Sequence, residues 1–181
     1  MEVATVARFA ALLAFLAAAG AIMVFAAVFV PAPAFRRLRA ALAPVALPLA
    51  AAVAVTATAG SLYFSEVAHF VPCKFCWFHR IAMYPLALIL TIAAVRRDRT
   101  VRRYALPLAA IGATVSTYHV QLERFPSQKT FCAVEVPCTI PPLNEFGFVT
   151  LAVMALCGFL AVTGLLLVAR PHHDPSPTST A

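Results

Sequence analysis

Five apolar runs, each about as long as a helix needs to cross a bilayer, take up most of this chain. They fall near residues 9–30, 40–64, 78–95, 104–122 and 146–169. Roughly 20 helical residues rise about 30 Å, the thickness of the hydrocarbon core. Within that core each backbone N–H and C=O needs a partner, so runs of this length are expected as transmembrane helices. The linkers are too short to hold a soluble domain. With 62% hydrophobic and only 12% charged residues among 181, the expected class is an all-α integral membrane protein.

The net charge of +7 reports topology rather than a nucleic-acid footprint. Arg36, Arg37 and Arg39 follow the first run, Arg96, Arg97, Arg99, Arg102 and Arg103 separate the third from the fourth, and Arg170 follows the fifth. The positive-inside rule makes these sites cytoplasmic. The loops around residues 65–77 and 123–145 hold only Lys74, Arg124 and Lys129, and are expected to face outward. Arg8 and Arg80 then sit at outer helix ends, with the N-terminus outside and the C-terminus cytoplasmic. Ala32-Pro33-Ala34 loosely resembles a signal-peptide cleavage site, but Glu2 offsets Arg8 and the apolar stretch is long, so the first run is read as a retained helix.

Pro44 and Pro48 in the second run, Pro85 in the third and Pro107 in the fourth predict kinks in a packed bundle. Alanine and glycine crowd the first two runs, which permits close helix approach and is equally a matter of base composition. Residues 171–181, rich in Pro, Ser and Thr around His172 and His173, read as a disordered tail. In the second outer loop Pro126, Pro137, Pro141 and Pro142 exclude a long helix, and a short mobile segment on the bilayer surface is expected.

Chemistry is concentrated in the two outward loops. Cys73-Lys74-Phe75-Cys76 is a C-x-x-C with Arg80 four residues beyond its second cysteine, and Cys132 and Cys138 form a second pair on the same side. If the third helix starts around Cys73 to Cys76, then Cys76, Arg80 and Tyr84 share a face. A helix N-terminus and a guanidinium both favour a thiolate, which makes Cys76 the leading reactive sulfur. Redox exchange, inert structural disulfides and a four-cysteine zinc site all fit the residue types. The wide Cys132-x5-Cys138 spacing and the disulfide-permissive outer side favour the first. Arg80 is either a quinone-carbonyl donor or a snorkelling anchor. His119, near the outer end of the fourth run, is a proton donor to a quinone or an ordinary interfacial residue. Trp77 is a wall for a quinone ring or part of an aromatic belt. Cys157 reads as a small apolar residue.

The segment from Pro72 through Cys73, Cys76, Arg80 and Tyr84 to Pro85, followed by Phe131-Cys132 through Pro137-Cys138-Thr139, resembles the disulfide-bond formation protein B (DsbB) family, in its BdbC-like branch. Glu145-Phe146-Gly147-Phe148-Val149-Thr150 is similar to the family's entry to its last helix. The resemblance implies a four-helix core over residues 40–170, preceded by an extra transmembrane helix and basic loop over residues 1–39. It further implies an enzyme that reoxidises an extracytoplasmic thioredoxin-like oxidase and passes two electrons to ubiquinone or menaquinone. Cys73 and Cys76 would be the quinone-proximal pair, with Arg80 at the quinone, and Cys132 and Cys138 the partner-facing pair. The partner's thiolate would attack Cys132, Cys138 would attack Cys73, and Cys76 would be released toward the quinone, each step being thiolate exchange. His79 stands where other members carry Glu or Gln.

Two other readings stay open. Vitamin K epoxide reductase-like proteins share a four-helix redox core with electron flow reversed, but there the loop pair precedes the C-x-x-C. A membrane scaffold stapled by disulfides would show thiols that resist exchange.

Overall fold

A computed structural model describes residues 3–128, 132 and 136–169. The expected tail, Arg170 and the middle of the second outer loop lie outside these residues. The chain forms α1 (Val3–Phe29), α2 (Pro33–Leu42), α3 (Ala46–Leu62), α4 (Lys74–Arg96), α5 (Arg102–Arg124), the short strands β1 (Asn144–Glu145) and β2 (Val149–Thr150), and α6 (Leu151–Val168). A π-helical turn, Tyr63–Val67, prolongs α3.

The helices α3 to α6 make a ring in which each packs on the next and α6 closes back on α3, leaving α4 and α6 nearly diagonal. The buried positions explain this order. On α4, Phe75, His79, Ala82, Leu86, Leu90 and Ala93 recur at three- and four-residue steps, as do Ala105, Ala109, Gly112, Ser116, His119 and Leu122 on α5. The α5–α6 crossing is close because Gly112 has no Cβ: Phe159, fully buried on α6, fills that space. Outside the ring, α1 lies along α6 through Ala7, Ala11, Ala14 and Ala21, and Val24 meets Gly164. The small-residue interface is thus made by alanines of α1. Gly20 and Gly60, by contrast, face open space.

Among the described residues four helices, Val3–Phe29, Ala46–Val67, Lys74–Arg96 and Leu151–Val168, are long and apolar enough to cross a membrane. The fourth expected span is more polar. Helix α5 has the length, 23 residues, but carries Ser116, Thr117, His119, Gln121 and Glu123 as well as arginines at both ends. It is held between α4 and α6 by its buried stripe. Pro44 precedes α3 and Pro48 falls in its first turn, where a proline disturbs no helical hydrogen bond; only Pro85 and Pro107 are internal to helices.

The basic segment after α1, read from sequence as a loop, is the helix α2. Pro33 starts it, and Phe35, Leu38, Arg39 and Leu42 form its half-buried stripe, while Arg36 and Arg37 are exposed. At the opposite end of the molecule, β1 and β2 form a tight hairpin through Phe146 and Gly147, both at positive φ (52° and 79°). Phe146 and Phe148 of this hairpin each hold the Phe15 ring of α1 at 5.9 Å. The hairpin delivers Thr150 to the start of α6, where its hydroxyl accepts from Val153 N at 3.3 Å.

Candidate functional site

Pro72 precedes Cys73, and a residue next to proline cannot easily continue a helix N-terminally, so α4 begins here. Cys73 is its N-cap, with extended backbone (φ −71°, ψ 174°), and its Sγ accepts from Cys76 N at 3.4 Å. The three-residue spacing then brings the two sulfurs to 3.0 Å as free thiols. Oxidation requires them to close by only about 1 Å, since a disulfide bond is about 2.0 Å long.

The Cys73 thiol is held well below the ordinary thiol range. The hydrogen bond from the Cys76 thiol is the main cause, joined by His119 and the Cys76 amide, and together they outweigh the opposing effect of burial. A sulfur at a helix N-terminus is also where the helix dipole favours negative charge. Sequence reasoning placed the reactive thiolate at Cys76; the capping geometry places the most stabilised one at Cys73.

Cys132 and Cys138 are joined by a disulfide. Cys138 is only 2% exposed and lies with Cys73, Phe75 and Leu122 in one apolar cluster, against which Cys76, Cys132 and Val136 pack. Both pairs therefore share one end of the bundle, opposite the arginines of the α4–α5 turn.

Two cavities meet at this end. The smaller, about 410 Å³, is lined by Cys73, Cys76, His119, Glu123 and Cys138, together with His69. The larger, about 830 Å³, is a long apolar cleft bounded by α1, α3, α4 and α6. Cys76, His79 and Arg80 stand at its head, and Leu13, Gly20, Gly60, Met83 and Phe159 line its length. Of the four loop cysteines, Cys76 alone borders both cavities.

Arg80 is anchored to the serine at the end of α3: Nε donates to Ser61 Oγ and Nη2 to Ser61 O, both at 3.2 Å. Tyr84 reaches the same Ser61 Oγ at 3.3 Å. Sequence gave no signal for Ser61, a lone hydroxyl at the end of an apolar run. Trp77, a candidate ring wall, does not line the large cavity; it is 53% exposed and its ring lies 5.2 Å from the Arg80 guanidinium carbon. Hydrogen bonds to Ser61 and the Trp77 ring thus hold the Arg80 guanidinium at the cavity head.

His119 lies against the small cavity rather than the large one. Its Nε2 is 3.8 Å from Cys73 Sγ and 3.9 Å from Glu123 Oε1, and its ring stacks on Phe75 at 5.2 Å. Thr150 Oγ1 donates to Glu123 Oε2 at 2.6 Å. Glu123 was not singled out in the sequence, and Thr150 entered only as the end of the Glu145–Thr150 motif, although the i,i+4 spacing of His119 and Glu123 on α5 was a readable sign. His79 is buried beside His119, ring centroids 5.3 Å apart, with Nε2 unpartnered.

Similarity to known proteins agrees with this arrangement. The family described as "Disulfide bond formation protein DsbB" matches residues 43–169. The "Probable disulfide formation protein C 1" of Bacillus cereus is 47% identical over 109 residues, 59% of this chain and 78% of that protein. The "Disulfide bond formation protein C" of Bacillus subtilis is 45% identical over 112 residues, 61% of this chain and 81% of its own. The "Probable disulfide formation protein C 2" of Bacillus anthracis is 42% identical over 123 residues, 67% of this chain and 88% of that protein. No solved structure gives a significant match. The chain belongs to the DsbB family of all-helical membrane proteins, and its role is in disulfide formation.

Proposed function

We propose that this DsbB-family chain is a thiol:quinone oxidoreductase: it reoxidises an extracytoplasmic thioredoxin-like dithiol oxidase and delivers two electrons to a membrane quinone. The observation that carries the reading is the position of Cys76, a wall of both the small cysteine-lined cavity and the 830 Å³ apolar cleft.

The cleft suits a flat head with an apolar tail. One end is polar, with Arg80, His79 and Cys76, and the rest is aliphatic and aromatic. The extra helix α1, which precedes the family match, supplies one of its walls. Arg80 and His79 would hold the head and α1, α3 and α6 the tail. When bound, a quinone supplies a two-electron, two-proton acceptor beside a thiol.

The remaining chemistry belongs to the chain. Cys132 is more accessible than Cys138, so it is the sulfur a partner's thiolate reaches first. That attack breaks the Cys132–Cys138 bond and leaves Cys138 as a thiolate inside the cluster it shares with Cys73. With the inner pair oxidised, Cys138 attacks Cys73, forming a Cys138–Cys73 bond and releasing Cys76 at the head of the cleft. Phe75 and Leu122 keep water from the exchange.

The test is quinone reduction by the purified chain in detergent, followed by absorbance, with a reduced thioredoxin-like protein as donor. Cys76→Ala is expected to abolish turnover, and Cys132→Ala to block transfer from the protein donor. Undiminished turnover in both variants refutes the reading. A redox titration placing the inner pair at the higher, more oxidising potential, so that electrons run downhill to it from the outer pair, would argue against outward, reductase-type flow.

A further inference from the structure

The ring proton of His119 has one place to go. Among the described residues Nδ1 is buried with no partner, whereas Nε2 lies within hydrogen-bond distance of Cys73 Sγ at 3.8 Å, with the Glu123 carboxylate beside it at 3.9 Å, close enough to attract the ring but too far to accept its proton. A buried N–H without an acceptor costs about 1–3 kcal/mol, so these contacts assign the proton to Nε2. The side chain is 4% exposed and Glu123 7%. Glu123 is itself fixed, because Thr150, set by the hairpin at the start of α6, donates to its other oxygen at 2.6 Å. The N-terminus of α4 and His119 of α5 thus meet at one sulfur, and Thr150 ahead of α6 fixes the carboxylate beside His119.

We infer that His119 is a catalytic hydrogen-bond donor to Cys73, making Cys73 the leaving sulfur when the outer pair re-forms, and that Glu123 and Thr150 are positioning residues that keep His119 aimed. The inference rests on the thiol-exchange reading and adds roles which that reading does not require.

The step it serves is balanced. Once the partner has been released in its oxidised form, the Cys132 thiolate attacks Cys138 and forms the Cys132–Cys138 bond. The Cys138–Cys73 bond breaks and its electron pair stays on Cys73 Sγ. No net oxidation occurs. The new thiolate receives the His119 Nε2–H and the Cys76 amide, and the better it is stabilised the faster it leaves. The titratable groups facing His119 are Cys73, Cys76 and His79 from α4, Glu123 on its own helix and His69 from the segment ahead of α4. Arg124 adjoins Glu123 but points to the hairpin, donating to Phe148 O at 3.4 Å.

The experiment needs neither quinone nor partner, so it stands or falls separately from the proposed activity. The inner pair of the full-length chain in detergent is reduced, and iodoacetamide alkylation is followed against pH. Peptide mass spectrometry resolves Cys73, Cys76 and Cys157. The expected profile has Cys73 reacting at the lowest pH. His119→Leu is expected to raise its midpoint by at least one unit, a tenfold loss of thiolate at a given low pH, and His119→Asn, which keeps an N–H donor, to restore part of it. Thr150→Val should shift it in the same direction by less. If His119→Leu does not fold, Thr150→Val decides. Coincident profiles in wild type and variant, or a Cys76 that reacts at lower pH than Cys73, overturn the inference.

Discussion

Replacing Gly112 by alanine tests whether the α5–α6 contact carries the site. A Cβ built on Gly112 falls within 2.5 Å of three carbons of the Phe159 ring, where ordinary contact begins at 3.4 Å. The ring must retreat by about 1 Å, and it is fully buried, with nowhere open to go. Overpacking of this kind costs about 1–3 kcal/mol, whereas Gly→Ala in a helix gains about 0.5–1 kcal/mol from propensity alone. The net expectation is a loss of up to about 2.5 kcal/mol. The ring also stands edge-on to His79 at 6.1 Å, and His79 abuts His119, so the displacement is passed toward Cys73. Thermal unfolding of Gly112→Ala, Phe159→Leu and the double variant in one detergent measures it. The double variant should be more stable than the two single losses predict, because leucine yields the volume the new methyl needs. A Gly112→Ala protein that is more stable than wild type, as an uncrowded helical glycine would give, refutes the packing argument.

Three further outcomes follow from the same geometry. Gly60→Leu and Gly20→Leu put side chains into open space along the cleft, so both should fold as well as wild type, yet weaken binding of a long-tailed quinone at least tenfold by Trp77 fluorescence titration while sparing a tail-less analogue. Arg80→Lys loses the fork that holds Ser61 Oγ and O together and the flat stack on Trp77, and should raise KM for quinone more than it lowers stability. Asp98 caps the turn before α5 through Thr100 N at 2.8 Å and Thr100 Oγ1 at 2.6 Å, and these bonds hold its carboxyl below the usual carboxylate range. A lowered carboxyl pKa contributes stability above the unfolded-state value and loses it as pH falls through the folded one. Asp98→Ala should therefore melt below wild type at neutral pH and converge with it in acid.

The apolar runs made the helices readable because a bilayer permits few alternatives, and the C-x-x-C made the start of α4 readable because Pro72 and Cys73 serve as its boundary and cap. What escaped were features fixed by tertiary contact. Helix α2 was hidden by its arginines, since its apolar stripe of Phe35, Leu38 and Leu42 is too short to register as a run. Ser61 and Thr150 are single hydroxyls whose partners lie 19 and 27 residues away, and no local pattern announces such a pairing. His119 was legible as an ionisable residue near the outer end of the fourth run, but its burial and the cavity it serves depend on how α5 packs against α4. Gly112 sets how closely α5 lies against Phe159 of α6, a contact no local pattern announces.

The first turn of α4 gives the C-x-x-C a division of labour. Its spacing holds the two sulfurs at 3.0 Å, close enough to form one bond, yet the helix turn points them at different surroundings. Cys73, the cap, meets His119 and, through the shared cluster, Cys138. Cys76, one turn in, reaches the apolar cleft headed by Arg80. One extra residue between Cys76 and Arg80 would carry both sulfurs about 100° around the axis relative to the cleft head. Inserting one alanine between Pro72 and Cys73 leaves the C-x-x-C intact and lengthens only its tether, whereas inserting one between Cys76 and Trp77 turns the pair relative to Arg80. The first variant should keep most of its turnover and the second should lose nearly all of it, with both retaining the Cys132–Cys138 disulfide by mass. Equal activity in the two would mean that the helical register between the sulfurs and Arg80 does not matter.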